Sequence, residues 1–203
     1  MEKNDKYIND KHIIVTNGTG RSGKDTFAKM INKLVPSYKV SSIDFVKELF
    51  APYFNDYLLE QGKTESYRKL LADTKHDIIA FSPCFFANLM LEEVDKFMET
   101  DKKILLIDIR EPEEISKIKD VAEKKGYKIQ TVLVKNDNIH QITSNSADNS
   151  VYDYEYDYIV DNSGDLKQLQ QSAETLIAAL EGEAKWDGRT SWKLKSSIYT
   201  RHR

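Results

Sequence analysis

The chain has 203 residues, of which 40% are hydrophobic and 31% charged, a balance typical of one substantial globular domain. A formal net charge of −3 gives no electrostatic reason to expect nucleic-acid binding, and no apolar run approaches the ~20 residues of a membrane span. A single cysteine, Cys84, excludes an internal disulfide, so we expect a cytoplasmic protein in which this thiol is packed and inert. Residues 1–12 have no apolar core and predict no signal peptide.

Apolar runs alternate with helix-forming stretches along the chain. Several runs are continuous in Ile, Leu and Val, as expected for strands covered on both faces. The predicted strands are residues 12–16, 38–43, 103–109, 128–134 and 156–160, and the predicted helices are residues 24–34, 44–59, 65–79, 85–100, 112–125 and 166–181. This alternation predicts an α/β fold with a doubly wound, mostly parallel five-stranded sheet and helices on both faces. Ligands then gather at the carboxyl ends of the strands.

A glycine-rich loop follows the first predicted strand and leads into the first predicted helix. Its residues fit the phosphate-binding pattern G-x-x-x-x-G-K, in which backbone N–H groups, a helix N-terminus and a lysine hold a polyphosphate. A glycine-rich turn that binds nothing is the alternative, and the flanking strand and helix argue against it. Asp25 stands where a Ser or Thr usually holds Mg²⁺, so either Asp25 or Thr26 is expected to take that role. The predicted phosphate-binding residues are Gly18, Gly20, Arg21, Ser22, Gly23, Lys24, Asp25 and Thr26.

A second polar group follows the third predicted strand. Asp108 at this strand end is suited to orient Mg²⁺ or accept a proton, and Arg110 is suited to clamp a phosphate. The alternative is that Asp108 pairs with Arg110 or caps the next helix, while Glu113 and Glu114 only favour a helix N-terminus. The neighbouring phosphate-binding pattern favours the functional interpretation.

The two motifs together resemble a known family. Residues 18–26 read G-x-x-x-S-G-K-D-T, and Asp108, Arg110, Pro112 and Glu114 form D-x-R-x-P-x-E. Both resemble the deoxynucleoside monophosphate kinases of phages and bacteria, over most of the chain from residue 12 to about residue 180. Residues 67–71 resemble the central arginine-bearing helix of that family, and residues 157–164 its last strand and turn. The animal-type phosphomevalonate kinases are similar in the first motif and more distant in the second.

This resemblance implies a P-loop NTPase fold and an ATP-dependent phosphotransferase that moves the terminal phosphoryl of ATP, with Mg²⁺, onto a nucleoside or deoxynucleoside monophosphate. It implies small-molecule nucleotide partners, and we expect no nucleic acid, no membrane, and a monomer or homodimer. Asp44 is equally readable as a helix N-cap, Lys47 as a solvated lysine, and Arg68 as a surface residue paired with Glu65. The implied roles are catalysis for Lys24, Asp108 and Arg110, metal binding for Asp25, Thr26 and Asp108, and acceptor binding for Asp44, Lys47, Arg68 and Arg110.

The chain departs from the family in two places. A lid-like loop at about residues 136–153, within a kinase domain of residues 1–182, carries no arginine, and Lys135 and His140 are the basic residues there. Residues 183–203 form a basic, tryptophan-containing tail to which we assign no function. Two alternatives stay open. A kinase of another small phosphorylated acceptor, such as phosphomevalonate, is one, because no sequence feature fixes the acceptor pocket. A degenerate kinase kept for nucleotide binding is the other, and the missing arginine favours it. A GTP switch is disfavoured, because residues 135–138 do not form the guanine-reading motif.

Overall fold

The fold was taken from a computed structural model, which describes residues 10–62, 64–139 and 150–182. Strands and helices alternate along the chain in the predicted order. The strands are β1 (His12–Asn17), β2 (Ser37–Ser41), β3 (Ile104–Asp108), β4 (Ile129–Lys135) and β5 (Tyr158–Asp161). The helices are α1 (Lys24–Leu34), α2 (Asp44–Gln61), α3 (Glu65–Phe81), α4 (Phe85–Met98), α5 (Pro112–Glu123) and α6 (Leu166–Leu180), with a short 3₁₀ turn at Val151–Asp153.

The five strands form one sheet in the order β2-β3-β1-β4-β5, and every pairing is parallel. The predicted parallel five-stranded α/β sheet is therefore confirmed. The register pairs Thr16 of β1 with Asp108 of β3, and Asp108 with Ser41 of β2. The residues that follow these three strands consequently emerge side by side at one edge, where open α/β sheets bind their ligands.

Each face of the sheet is covered by its own apolar core. One core packs α1 and α6 against residues such as Ile14, Leu106 and Val132. The other packs α4 and α5 against Ile13, Val15 and their neighbours. Because successive residues of a strand point to opposite faces, β1 and β3 are apolar at consecutive positions and buried on both sides.

A third and smaller apolar cluster lies outside the two sheet cores. Val46 of α2, Tyr67 and Leu71 of α3, and Phe86 of α4 are its buried members. The hairpin of α2 and α3 is therefore attached to the molecule by a core of its own. Thr64 begins α3 by accepting a hydrogen bond from the Tyr67 amide through its side chain, which satisfies one of the free N–H groups of the first turn.

Some local predictions were wrong. Cys84 is exposed rather than packed, because it is the residue before α4 and lies in the turn that joins α3 to α4. The tail at residues 183–203, the segment 140–149 of the lid-like loop, and the first nine residues lie outside the described part of the chain. Within the described part, no helix combines the length and apolar character that crossing a bilayer requires.

Candidate functional site

The phosphate loop, residues 18–24, lies very close to the ends of β4 and β5. A Cβ atom on Gly18 would lie 2.2 Å from the carbonyl oxygen of Val134, and one on Gly23 would lie 2.1 Å from Asn162 Nδ2. Gly23 also has a φ of 96°, a backbone conformation that L side chains rarely adopt. No larger residue fits either place, so these two glycines of the motif are required by the path of the main chain.

Two asparagines that the sequence analysis missed hold this loop in place. Asn17 Oδ1 accepts a hydrogen bond from the Gly18 amide at 2.7 Å, and its Nδ2 donates to the Arg110 carbonyl oxygen at 2.9 Å and to the Tyr156 hydroxyl at 2.6 Å. Asn162 Nδ2 donates to the Ser22 carbonyl oxygen at 2.9 Å. Burial raises the pKa of the Tyr156 hydroxyl, so it stays protonated and donates in turn to the Val151 carbonyl oxygen. Both asparagines directly follow or end a strand at the ligand edge, and that position is the signal that could have identified them.

Lys24 and Asp108 meet below the loop. The Lys24 ammonium donates to the Gly18 carbonyl oxygen and lies 3.8 Å from Asp108 Oδ1. Asp108 Oδ1 and Ser22 Oγ are both buried, and neither has a hydrogen-bond partner among the described residues. Buried polar atoms are nearly always paired because leaving one unpaired costs about 1–3 kcal/mol. Two such atoms beside a phosphate-binding loop indicate a place built for a polar ligand.

Lys39 is a further charged residue that the sequence analysis missed. Its ammonium pairs with the Asp25 carboxylate and lies 4.0 Å from Asp108 Oδ2. Asp108 thus has one lysine beside each of its oxygens, both at distances longer than a hydrogen bond. Lys39 lies on the edge strand β2, where lysines are common, so its sequence position gave no clear signal of a role at the site.

The oxygen atoms that the site offers as metal ligands fit a magnesium ion that is held mainly by phosphate and water. The described residues contain no group of three His, Cys, Asp or Glu side chains that could bind a metal. Mg²⁺ bound with a nucleotide needs only one or two carboxylates. Asp108 offers a buried oxygen without a hydrogen bond, Thr26 is half-buried in the first turn of α1, and Asp25 is 82% exposed at the same turn.

The four predicted acceptor residues are distributed over three elements. Asp44 begins α2, pairs with Lys47 at 2.6 Å, and accepts a hydrogen bond from the Ser41 amide at 2.9 Å. Arg110 follows β3, and its carbonyl oxygen is bound by Asn17. Arg68 is exposed on α3. The structure therefore brings Lys24, Asp25 and Asp108 together around Lys39, whereas Arg68 and Arg110 lie on different elements.

A buried ionic cluster lies behind Arg110. The Lys75 ammonium donates to Ser42 Oγ at 2.8 Å, Glu111 Oε2 at 2.7 Å and Glu114 Oε2 at 2.6 Å. Lys75 and Glu114 are only 4% and 5% exposed. We call these four residues the Lys75 cluster.

The pKa values of the two carboxyls in the Lys75 cluster are shifted in opposite directions. Burial raises the pKa of Glu114 to about 7 against the attraction of Lys75, and the negative charge of Glu111 adds to the rise. Burial by itself would also raise the pKa of Glu111. The charge and hydrogen bond of Lys75 outweigh this effect, so the pKa of that carboxyl is lowered. The ammonium therefore favours the charged form of Glu111, while Glu114 holds its proton at pH values where an ordinary glutamate has lost it.

Lys135, the basic residue at the start of the lid-like loop, is paired with carboxylates in the structure. Lys135 Nζ lies 2.9 Å from Asp137 and 3.8 Å from Asp161. The hydrogen bond to Asp137 raises the pKa of Lys135, and both carboxylates hold its charge. Lys135 is therefore engaged with the end of β5 in this structure. His140 lies outside the described residues.

The fold matches solved structures of low sequence identity. The structure of a tunicamycin resistance protein from Deinococcus radiodurans matches with a TM-score of 0.51 and 16% identity, over 86% of this chain and 98% of that one. A gluconokinase from Sinorhizobium meliloti matches with a TM-score of 0.47 and 13% identity, over 85% and 95% of the two chains. A dephospho-CoA kinase from Campylobacter jejuni matches with a TM-score of 0.45 and 13% identity, over 86% and 100%.

No protein-family model and no curated protein sequence matches the chain. Similarity at this level of identity concerns the fold alone. The match to the tunicamycin resistance protein agrees with the α/β fold described above, in which the glycine-rich loop follows β1.

Proposed function

We propose that the chain is a P-loop kinase that transfers the terminal phosphoryl group of ATP to a nucleoside or deoxynucleoside monophosphate. Both the glycine-rich loop with Lys24 and the carboxylate of Asp108 belong to the donor side of this reaction. Arg110 and Arg68 belong to the acceptor side. The resemblance of the two motifs to deoxynucleoside monophosphate kinases supports the choice of acceptor.

The observation that carries the proposal is the set of groups around Asp108. An ammonium, a buried carboxylate oxygen and a buried hydroxyl converge at the loop, and the two oxygens have no hydrogen-bond partner among the described residues. A purely structural turn would have no reason to bury two unpaired polar atoms. Bound phosphates with their water and cation would supply partners for these two oxygens and a counter-charge for Lys24.

The proposed reaction is an in-line displacement. An oxygen of the acceptor phosphate attacks the γ-phosphorus of ATP, the bond from that phosphorus to the β–γ bridging oxygen breaks, and ADP leaves. Lys24 and the loop amides hold the donor phosphates and stabilise the charge on the leaving group. Arg110 holds the acceptor phosphate close to the donor, which reduces the entropic cost of bringing two anions together. When bound at Asp108, Asp25 and Thr26, Mg²⁺ would neutralise charge on the β- and γ-phosphates.

The test is formation of diphosphate from ATP and Mg²⁺ with each common NMP and dNMP as acceptor, and with phosphomevalonate in the same panel. Lys24→Ala is the inactive control, and Lys29→Ala on the exposed side of α1 is its matched control. Turnover on one or a few NMPs or dNMPs supports the proposal. Turnover on phosphomevalonate alone would refute the proposal of a nucleotide acceptor but would still support a kinase.

A second candidate is a degenerate kinase that binds nucleotide without transferring phosphate. It is favoured by the engagement of Lys135 with Asp137 and Asp161, together with the absence of arginine between residues 111 and 188. Binding of ATP without turnover on any acceptor of the panel would favour this candidate.

A further inference from the structure

Four separate elements meet at one buried ammonium. Lys75 belongs to α3, Ser42 lies between β2 and α2, and Glu111 and Glu114 lie at the start of α5. Phe86 of α4 adds its ring, whose centre is 5.3 Å from Lys75 Nζ. An ammonium has three donors, and Lys75 uses them on three different oxygens at 2.6–2.8 Å. Its position is therefore fixed in three directions.

The contacts of the Lys75 cluster are not explained by stability alone. Burying an ion pair costs desolvation that its attraction repays poorly, and apolar residues of the same volume often stabilise a core as well or better. Here the cost is larger, since two carboxyl groups face one ammonium and Glu114 Oε1 has no hydrogen-bond partner among the described residues. What the cluster supplies instead is a directional link between α3 and the start of α5.

That link joins the two arginines of the proposed acceptor site. Glu111 is the residue after Arg110, so holding Glu111 also holds the main chain that carries Arg110. Arg68 is seven residues before Lys75 on the same helix, and residues seven apart share a helix face about 10 Å apart along the axis. The rest of α3 is held by the small apolar cluster around Tyr67 and Leu71. Apolar contacts of this kind fix α3 less strictly than three charged hydrogen bonds do.

We propose that Lys75 is a positioning residue for the acceptor: it fastens α3 to the segment that carries Arg110, and so sets the distance between Arg68 and Arg110. This inference rests on the proposed function and deepens it. Lys75 itself does not touch substrate. Its effect falls on α3 and Arg68, because Asn17 and Asn162 hold the phosphate loop and Asn17 also holds the main chain of Arg110.

The kinetic test compares Lys75→Met with the wild type. We expect the KM for the acceptor to rise about tenfold or more, while the KM for ATP stays within about twofold, because displacement of one positioning group by about 1 Å has effects of this size. Lys69→Met is the matched control, since Lys69 is an exposed lysine of the same helix paired with Asp73. An equal rise in both KM values, or no rise in the acceptor KM, overturns the inference.

A double variant separates positioning from stability. Lys75→Met alone leaves the buried Glu114 and the half-buried Glu111 without a cation and is expected to destabilise the fold. Lys75→Met with Glu114→Gln removes the buried carboxyl and restores part of the stability. We expect the acceptor KM of the double variant to stay raised. Return of this KM to the wild-type value as stability recovers would reduce Lys75 to a structural role and overturn the inference.

Amide hydrogen exchange tests the link without any substrate. Exchange in α3 of the Lys75→Met variant should rise about tenfold or more relative to wild type, while exchange in α1 stays unchanged. Unchanged exchange in α3 overturns the inference whatever the kinetics show. If the wild-type chain turns over no acceptor, the proposed function and the acceptor role of Lys75 both fail, and the exchange result alone decides whether Lys75 fastens α3.

Discussion

Replacing Glu114 by Gln should change how the stability of the protein depends on pH. Glu114 is buried beside Glu111, and burial raises its pKa from 4.5 to about 7. Between these two values the folded protein holds a proton that the unfolded chain releases. Stability from this carboxyl is therefore complete below pH 4.5 and is lost as the pH rises to about 7. Gln has no titratable proton, so the stability of the variant does not fall in this way as the pH rises.

The magnitude follows from the size of the pKa rise. Each pKa unit corresponds to about 1.36 kcal/mol, so the rise from 4.5 to about 7 corresponds to about 3 kcal/mol. The free energy of unfolding of Glu114→Gln, minus that of the wild type, should thus increase by about 3 kcal/mol between pH 4.5 and 7.5. The lowered pKa of Glu111 acts in the opposite direction and below pH 4.5, outside this window.

Urea denaturation at constant ionic strength, measured at half-unit steps from pH 4.5 to 8.5, gives the required free energies. Glu174→Gln is the control, because it makes the same chemical change on the exposed side of α6. Its difference from wild type should stay constant with pH. A constant difference for Glu114→Gln as well, within about 0.5 kcal/mol, would refute the assignment of a protonated carboxyl to the Lys75 cluster.

Three further changes test the phosphate loop and its surroundings. Lys24→Ala should lower kcat by about 10²-fold or more through loss of charge stabilisation, with the thermal midpoint nearly unchanged, and a fully active variant would contradict the loop assignment. Asp108→Asn keeps the shape but removes the charge between two ammonium groups, so Mg²⁺-dependent turnover should fall about 10²-fold in steady-state assays; wild-type turnover would exclude Asp108 from the reaction. Gly23→Ala should cost about 2–3 kcal/mol in urea denaturation, since its Cβ would overlap Asn162 and its φ is positive, and equal stability would show that the loop follows another path.

The sheet and the phosphate loop were predictable because their signals are local. Residues 104–107 are a continuous apolar run in the sequence and are fully buried in β3, and the glycines around Lys24 occur at a spacing with a direct physical cause. Parallel pairing then brings the end of β3 beside the end of β1, so the meeting of Asp108 with Lys24 also follows from the sequence pattern.

The Lys75 cluster could not be predicted in the same way. Lys75 lies 36 positions before Glu111 and 33 after Ser42, and sequence periodicity does not reveal contacts at such separations. Charged residues on helices are nearly always exposed, so a lysine within α3 predicts a solvated side chain. Glu114 fits the chemistry of a helix N-terminus equally well whether it faces water or the interior. Only the folded structure, in which Lys75 of α3 reaches the start of α5, distinguishes these cases.

The side chain of Asn17 has a consequence for the spacing of the two sides of the proposed site. It ties the first residue of the phosphate loop to the main chain of Arg110 and to Tyr156, so three segments that are distant in sequence form one rigid frame. Within that frame the spacing between the donor loop and Arg110 is constant before any substrate arrives. The α2–α3 hairpin lies outside this frame and is joined to it through its own apolar cluster and through the hydrogen bonds of Lys75. A single side-chain amide thereby sets, in the folded chain itself, the spacing between the loop for the donor phosphates and the segment that carries Arg110.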